Sequence, residues 1–92
     1  MTRLKVGVVG AGAWGRNHVR TVAGLADAEL AAVCDIDPTT RERVARQYPG
    51  ALVTGDLGAF LKAVDAVIVA SPAATHAAVA HQAVDAGKPV LV

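Results

Sequence analysis

Gly10-Ala11-Gly12-Ala13-Trp14-Gly15 has the spacing G-x-G-x-x-G, and an acid, Asp35, stands twenty positions after Gly15. Glycine at the first position permits a tight turn, at the second it lets the backbone approach a pyrophosphate, and at the third it allows a helix to pack closely on a strand. An anion would then rest on the N–H groups of Ala13 and Trp14, at the positive end of the helix that the motif opens. The Asp35 carboxylate would accept hydrogen bonds from ribose hydroxyls. In a chain with 9 glycines the spacing alone says little. Its place between a strand and a helix, with the acid closing the next strand, gives it meaning. The plainer reading is a tight turn with Asp35 as a surface carboxylate, although Asp37, before Pro38, already holds the better capping position. Trp14 either packs at the mouth of the site or touches the ligand, and its backbone serves the phosphate in both cases.

Ser71-Pro72-Ala73-Ala74-Thr75-His76 forms a second constellation, after an apolar run that reads as strand 4. Ligands of open α/β sheets collect at the carboxyl ends of strands. The backbone and the Ser71 and Thr75 hydroxyls would line the nicotinamide half of a dinucleotide, with His76 near the reacting end. Alternatively, Thr75 caps a helix and His76 is an ordinary first-turn residue. His18 and His81 read as unpaired helix residues, structural or solvated. Neither catalytic residues nor a metal site emerge, since no His, Cys, Asp or Glu pair has the spacing of metal ligands. Cys34, the single cysteine, forms no internal disulfide and fits a reducing cytoplasm.

The elements that must position these residues alternate along the chain. Strand 1 spans Leu4–Val9, a β-branched run ending at the glycines. A helix over 14 to about 24 puts Val19, Val22 and Ala23 on one face and stops at Gly24. Strand 2 is expected over 30–34, followed by a charged, solvated helix to about Gln47 that Asp37 and Pro38 open. Strand 3 covers 51–53, Asp56 caps a helix over 57–63, and strand 4 covers 66–70. Thr75 caps an alanine-rich helix ending at Gly87, and 90–92 begin strand 5. This alternation predicts an α/β, Rossmann-type doubly wound parallel sheet of order 3-2-1-4-5, truncated after strand 5, with helices on both faces.

With 92 residues, 53% hydrophobic and 18% charged, and a mean hydropathy of +0.41, the chain is one dinucleotide-binding domain over 1–92 and has no room for another. Only 3% are aromatic, so Ala, Val and Leu build the core. Lys plus Arg number 9 against 8 Asp plus Glu, without a charged block, which argues against nucleic acid as partner. No apolar stretch approaches the roughly 18 residues of a membrane span. Residues 1–15 imitate a signal peptide, with Arg3 and Lys5 before an apolar run, but their glycines are spaced for another purpose. A soluble, cytoplasmic protein is expected.

The chain resembles the N-terminal half of the Gfo/Idh/MocA oxidoreductases, the family of glucose-fructose oxidoreductase and inositol dehydrogenase. The matching pieces are Val6-Gly7-Val8-Val9-Gly10-Ala11-Gly12 with Gly15 and His18, then Val33-Cys34-Asp35-Ile36-Asp37-Pro38. Asp65-Ala66-Val67-Ile68-Val69-Ala70-Ser71-Pro72, Thr75-His76 and Ala86-Gly87-Lys88-Pro89-Val90-Leu91-Val92 follow in order. Trp14-Gly15-Arg16-Asn17-His18-Val19-Arg20 is similar to members that oxidise nucleotide-linked sugars. The resemblance implies cofactor binding by Gly10, Gly12, Gly15, Asp35, Ser71, Pro72, Thr75 and His76. It carries over no catalytic residue: the family's Glu-Lys-Pro segment follows strand 5, whereas Lys88 precedes it, and the C-terminal substrate domain is absent from this chain.

The expected function is the NAD-binding part of an enzyme moving a hydride between a sugar or nucleotide-sugar hydroxyl and nicotinamide, the 92 residues alone being inactive. Asp35 favours NAD over NADP, whose 2′-phosphate it would repel. A free-standing nucleotide-binding or sensing module is the alternative from another class, and a different dehydrogenase, such as an amino-acid pathway reductase, is a third. The apolar edge of strand 5 predicts self-association.

Overall fold

Leu4–Val9 forms β1, and its residues Val6, Gly7, Val8 and Val9 are all buried, as a strand covered on both faces requires. In the computed structural model the described residues are 3–70 and 73–91; for 13, 14, 73–76 and 91 the description is of the backbone. β1 pairs in parallel with β2, Ala28–Cys34, and with β4, Ala66–Val69. With β3, Leu52–Thr54, and β5, Val90–Leu91, the sheet has the order β3-β2-β1-β4-β5 expected from the sequence. The register sets Val9 beside both Cys34 and Val69, so three strands end together at one edge.

Alternation along β1 divides the core between the two faces. Val6 and Val8 join Val19 and Val22 of helix α1 (Ala13–Ala23) and Val44 of α2 (Pro38–Gln47). Val9, Val67 and Val69 join Phe60 and Leu61 of α3 (Leu57–Lys62) and Ala83 of α4 (Ala73–Asp85). Helices therefore cover both faces, and the doubly wound expectation holds. Phe60, the only phenylalanine, is fully buried against Gly7, where a Cβ would lie 2.5 Å from its ring and 2.6 Å from Val64.

Several boundaries differ from the sequence reading for local reasons. β2 starts at Ala28 rather than Leu30, because Ala28 and Glu29 pair with Leu4 and Lys5 before a register shift between Val6 and Gly7. Glu29 is exposed while Ala28 is buried, so the charge does not end the strand. Thr75 is not a cap: α4 begins at Ala73 and places Thr75 in its first turn, since Ala73 and Ala74 are strong helix formers. Ala23 is exposed, leaving Val19 and Val22 as the inward face of α1. Gly24 closes α1 with its N–H 3.2 Å from the Arg20 and Thr21 carbonyls, in right-handed rather than left-handed geometry. Asp56 caps α3 through the Gly58 N–H at 2.9 Å, as expected.

His18 and His81 are exposed, and His81 is paired after all: its Nε2 lies 3.4 Å from Asp85 Oδ2, one helical turn on. Among the described residues no helix is long and apolar enough to cross a membrane, and no three His, Cys, Asp or Glu cluster as a metal site.

Candidate functional site

The edge where β1 and β2 end carries the glycine loop. The Gly10 N–H donates to the Cys34 carbonyl at 2.8 Å, and Gly10 then turns with φ +90°, a conformation open to glycine and costly for other residues. Gly15, buried in α1, lies against this turn: a Cβ there would overlap the Gly10 carbonyl. Gly12 is different. It is exposed at the N-cap of α1, with nothing within 4 Å of where a Cβ would sit. Its missing side chain leaves open space at the positive end of the helix, which is the requirement for close approach of an anion.

Asp35 follows β2 directly and is half-buried. Its Oδ2 accepts from the Ala11 N–H and its Oδ1 from the Asp37 N–H, each at 2.8 Å. The carboxylate thus ties the glycine loop to the start of α2. Two backbone donors leave a further lone pair on each oxygen, so acceptor capacity remains for hydroxyl groups. Asp37 is separately engaged as the α2 cap, accepting from the N–H groups of Thr39 and Thr40 at 3.3 Å and from the Thr40 hydroxyl at 2.8 Å. The Thr40 hydroxyl is the main reason that its carboxyl sits below the ordinary aspartate range.

Two arginines of α2 reach the same region. Arg41 Nη1 donates to the Asp35 carbonyl at 2.8 Å, passing Gly55, where a Cβ would come within 2.8 Å of that nitrogen. Arg43 Nη2 donates to the Ala11 carbonyl at 2.6 Å. Arg41 stands six positions after its partner, whereas Arg43 has no such nearness in sequence to its own. Its bond spans 32 positions, and no local pattern announces it. Ile36 also stands at this edge. It is 89% exposed beside Asp35, an apolar side chain in water where most such residues are covered. Burial raises the Cys34 thiol, helped by the Asp35 and Asp56 charges and opposed by Arg41.

Gly10, Gly12, Gly15, the backbone of Ala13 and Trp14, and Asp35 therefore share one sheet edge. Thr75 and His76 lie in the first turn of α4, which follows the neighbouring strand β4. Ser71 and Pro72 fall outside the described residues, as do the side chains of Ala13, Trp14, Thr75 and His76. A loop of N–H groups beside a carboxylate can take a diphosphate and a ribose together.

Known proteins share this fold. The chain is 44% identical to inositol 2-dehydrogenase 1 of Saccharopolyspora erythraea over 97 aligned positions, 96% of this chain and 27% of that protein. The crystal structure of GenD2 from gentamicin A biosynthesis, in complex with NAD, superposes with a TM-score of 0.91 at 38% identity, over all of this chain and 27% of that one. UDP-N-acetylglucosamine 3-dehydrogenase GnnA of Acidithiobacillus ferrooxidans gives a TM-score of 0.87 at 33% identity, over 98% of this chain and 29% of that one. The chain thus spans about a quarter of the length of these relatives. Residues 4–92 match the family model described as oxidoreductase family, NAD-binding Rossmann fold, and the chain belongs to this Gfo/Idh/MocA family.

Proposed function

We propose that this chain holds NAD at the carboxyl edge of its sheet, as the cofactor half of an enzyme that moves a hydride between a hydroxyl of a cyclitol, sugar or nucleotide sugar and nicotinamide. The observation that carries this reading is the Asp35 carboxylate on the Ala11 N–H, which puts the ribose acceptor and the pyrophosphate loop in one rigid unit. The residues present fit the group: Gly12 leaves open the space that a Cβ would fill. When bound, the dinucleotide supplies the hydride chemistry.

The chain's own residues bind and orient. The N–H groups at the start of α1, at Gly12, Ala13 and Trp14, receive the pyrophosphate, and the helix dipole favours its charge. Asp35 accepts from the adenosine ribose. Ser71, Pro72, Thr75 and His76 line the nicotinamide side. We assign no acid/base group to residues 1–92, since proton transfer needs a group within about 3 Å of the reacting atom and the relatives extend well beyond the quarter of their length that this chain matches. Calorimetric titration with NADH tests the reading. Saturable one-to-one binding supports it, and no heat at millimolar NADH overturns it.

Cytoplasmic residence accompanies this reading, supported by Cys34, a buried free thiol. β5 lies at the edge of the sheet among the described residues. Pairing of two copies along that edge would appear in sedimentation as a size increasing with concentration, and a constant monomer would refute it.

A further inference from the structure

Ala11 is fully buried, and both of its backbone polar groups are held by charged side chains. Asp35 takes the N–H, and Arg43 Nη2 donates to the carbonyl at 2.6 Å. The Arg43 guanidinium also reaches Gln47 Oε1 at 3.5 Å, one turn along α2.

A trans peptide is a rigid plane in which the carbonyl and the following N–H point in opposite directions. The Ala11 carbonyl and the Gly12 N–H belong to one such plane, so holding the first fixes the second. On its far side the unit meets α1, where the Gly12 carbonyl accepts from the Arg16 N–H at 2.8 Å. Gly12 has no side chain, its surroundings are open, and glycine rotates more freely than any other residue. A charge-assisted bond is also stronger than one between neutral groups. Resting on the reading that this loop takes the pyrophosphate, we propose that Arg43 is a positioning residue for dinucleotide binding: it grips the Ala11 carbonyl and so aims the Gly12 N–H at the anion. Asp35 does the corresponding work one peptide earlier, fixing the Gly10 carbonyl on which Gly15 rests.

The test compares the parent with Arg43→Met, which keeps the aliphatic stem and removes the donor, and with Arg43→Lys, which restores a charged donor on one nitrogen. NAD and adenosine are titrated by amide chemical shift. Arg43→Met should move the Gly12 amide resonance before any ligand is added. It should raise the Kd for NAD about tenfold, while the Kd for adenosine, which has no phosphate, stays within about twofold. Arg43→Lys should recover most of the loss. NAD and adenosine weakening together, NAD binding unchanged, or no recovery in Arg43→Lys would overturn the role. A parent that binds no NAD refutes the functional reading instead, and the ligand-free Gly12 resonance then decides Arg43: unmoved in Arg43→Met, it refutes the grip as well.

Discussion

Asp35 Oδ2 lies 2.8 Å from the Ala11 nitrogen, joining the end of one strand to the loop after its neighbour across 24 positions of sequence. Such a bond stiffens the loop and places a carboxylate beside it. Because Oδ1 also accepts from Asp37, the acid is fixed at both oxygens. Its position is set by the backbone around it rather than by a flexible rotamer.

Gly12 and Gly15 should respond oppositely to alanine. At Gly12 the added methyl group meets nothing, and φ is an ordinary −74°, so Gly12→Ala should keep the Tm of the parent while weakening NAD at least tenfold. At Gly15 the methyl group overlaps the Gly10 carbonyl, so Gly15→Ala should lower the Tm itself. Calorimetry with paired melting curves checks both, and equal effects at the two positions would contradict the assignment.

Gly7→Ala tests the other face of β1. Its methyl group would press on Phe60 and Val64, and overpacking of this kind costs about 1–3 kcal/mol. Urea unfolding should show that loss. Adding Phe60→Leu to Gly7→Ala should recover part of it, because the smaller side chain vacates the contested space.

Asp37 provides a pH test. Hydrogen bonds from the Thr40 hydroxyl and the first N–H groups of α2 hold its folded value below that of the unfolded chain. Its stabilisation is therefore complete above about pH 4, the ordinary aspartate range, and is lost as pH falls through the lower folded value. Asparagine also caps helices well but does not titrate. The Tm difference between the parent and Asp37→Asn should shift against the parent only at acid pH. A difference constant down to acid unfolding would contradict the charged cap.

Much of this fold is legible in the sequence because its signals are local. Leu4–Val9 and the glycines after it announce a strand and a turn, and Asp37-Pro38 announces a helix start. Boundaries failed where two local rules competed. β2 extends back through Glu29, whose exposed position tolerates charge, and Thr75 has the residue type of a cap although the alanines before it extend α4. Asp35 was legible through its spacing from the glycines. Arg43 was not, because its partner is a backbone carbonyl on another element, and any residue type supplies one. The pairing of His81 with Asp85, four positions on, is a local signal of the legible kind.

Paired calorimetric titrations of NAD and NADP on the parent, Asp35→Ser and Asp35→Ala test most directly the proposed reading of the adenosine ribose by Asp35. At about 4 Å and an effective dielectric near 20, a carboxylate and one phosphate charge repel by roughly 4 kcal/mol. Solvent exposure and Arg41, held on the Asp35 carbonyl, reduce this. At least about 1.4 kcal/mol should remain, a tenfold preference for NAD. Both substitutions should narrow that gap, chiefly by weakening NAD. Equal affinities in the parent, or tighter NADP binding through Arg41, would contradict the account.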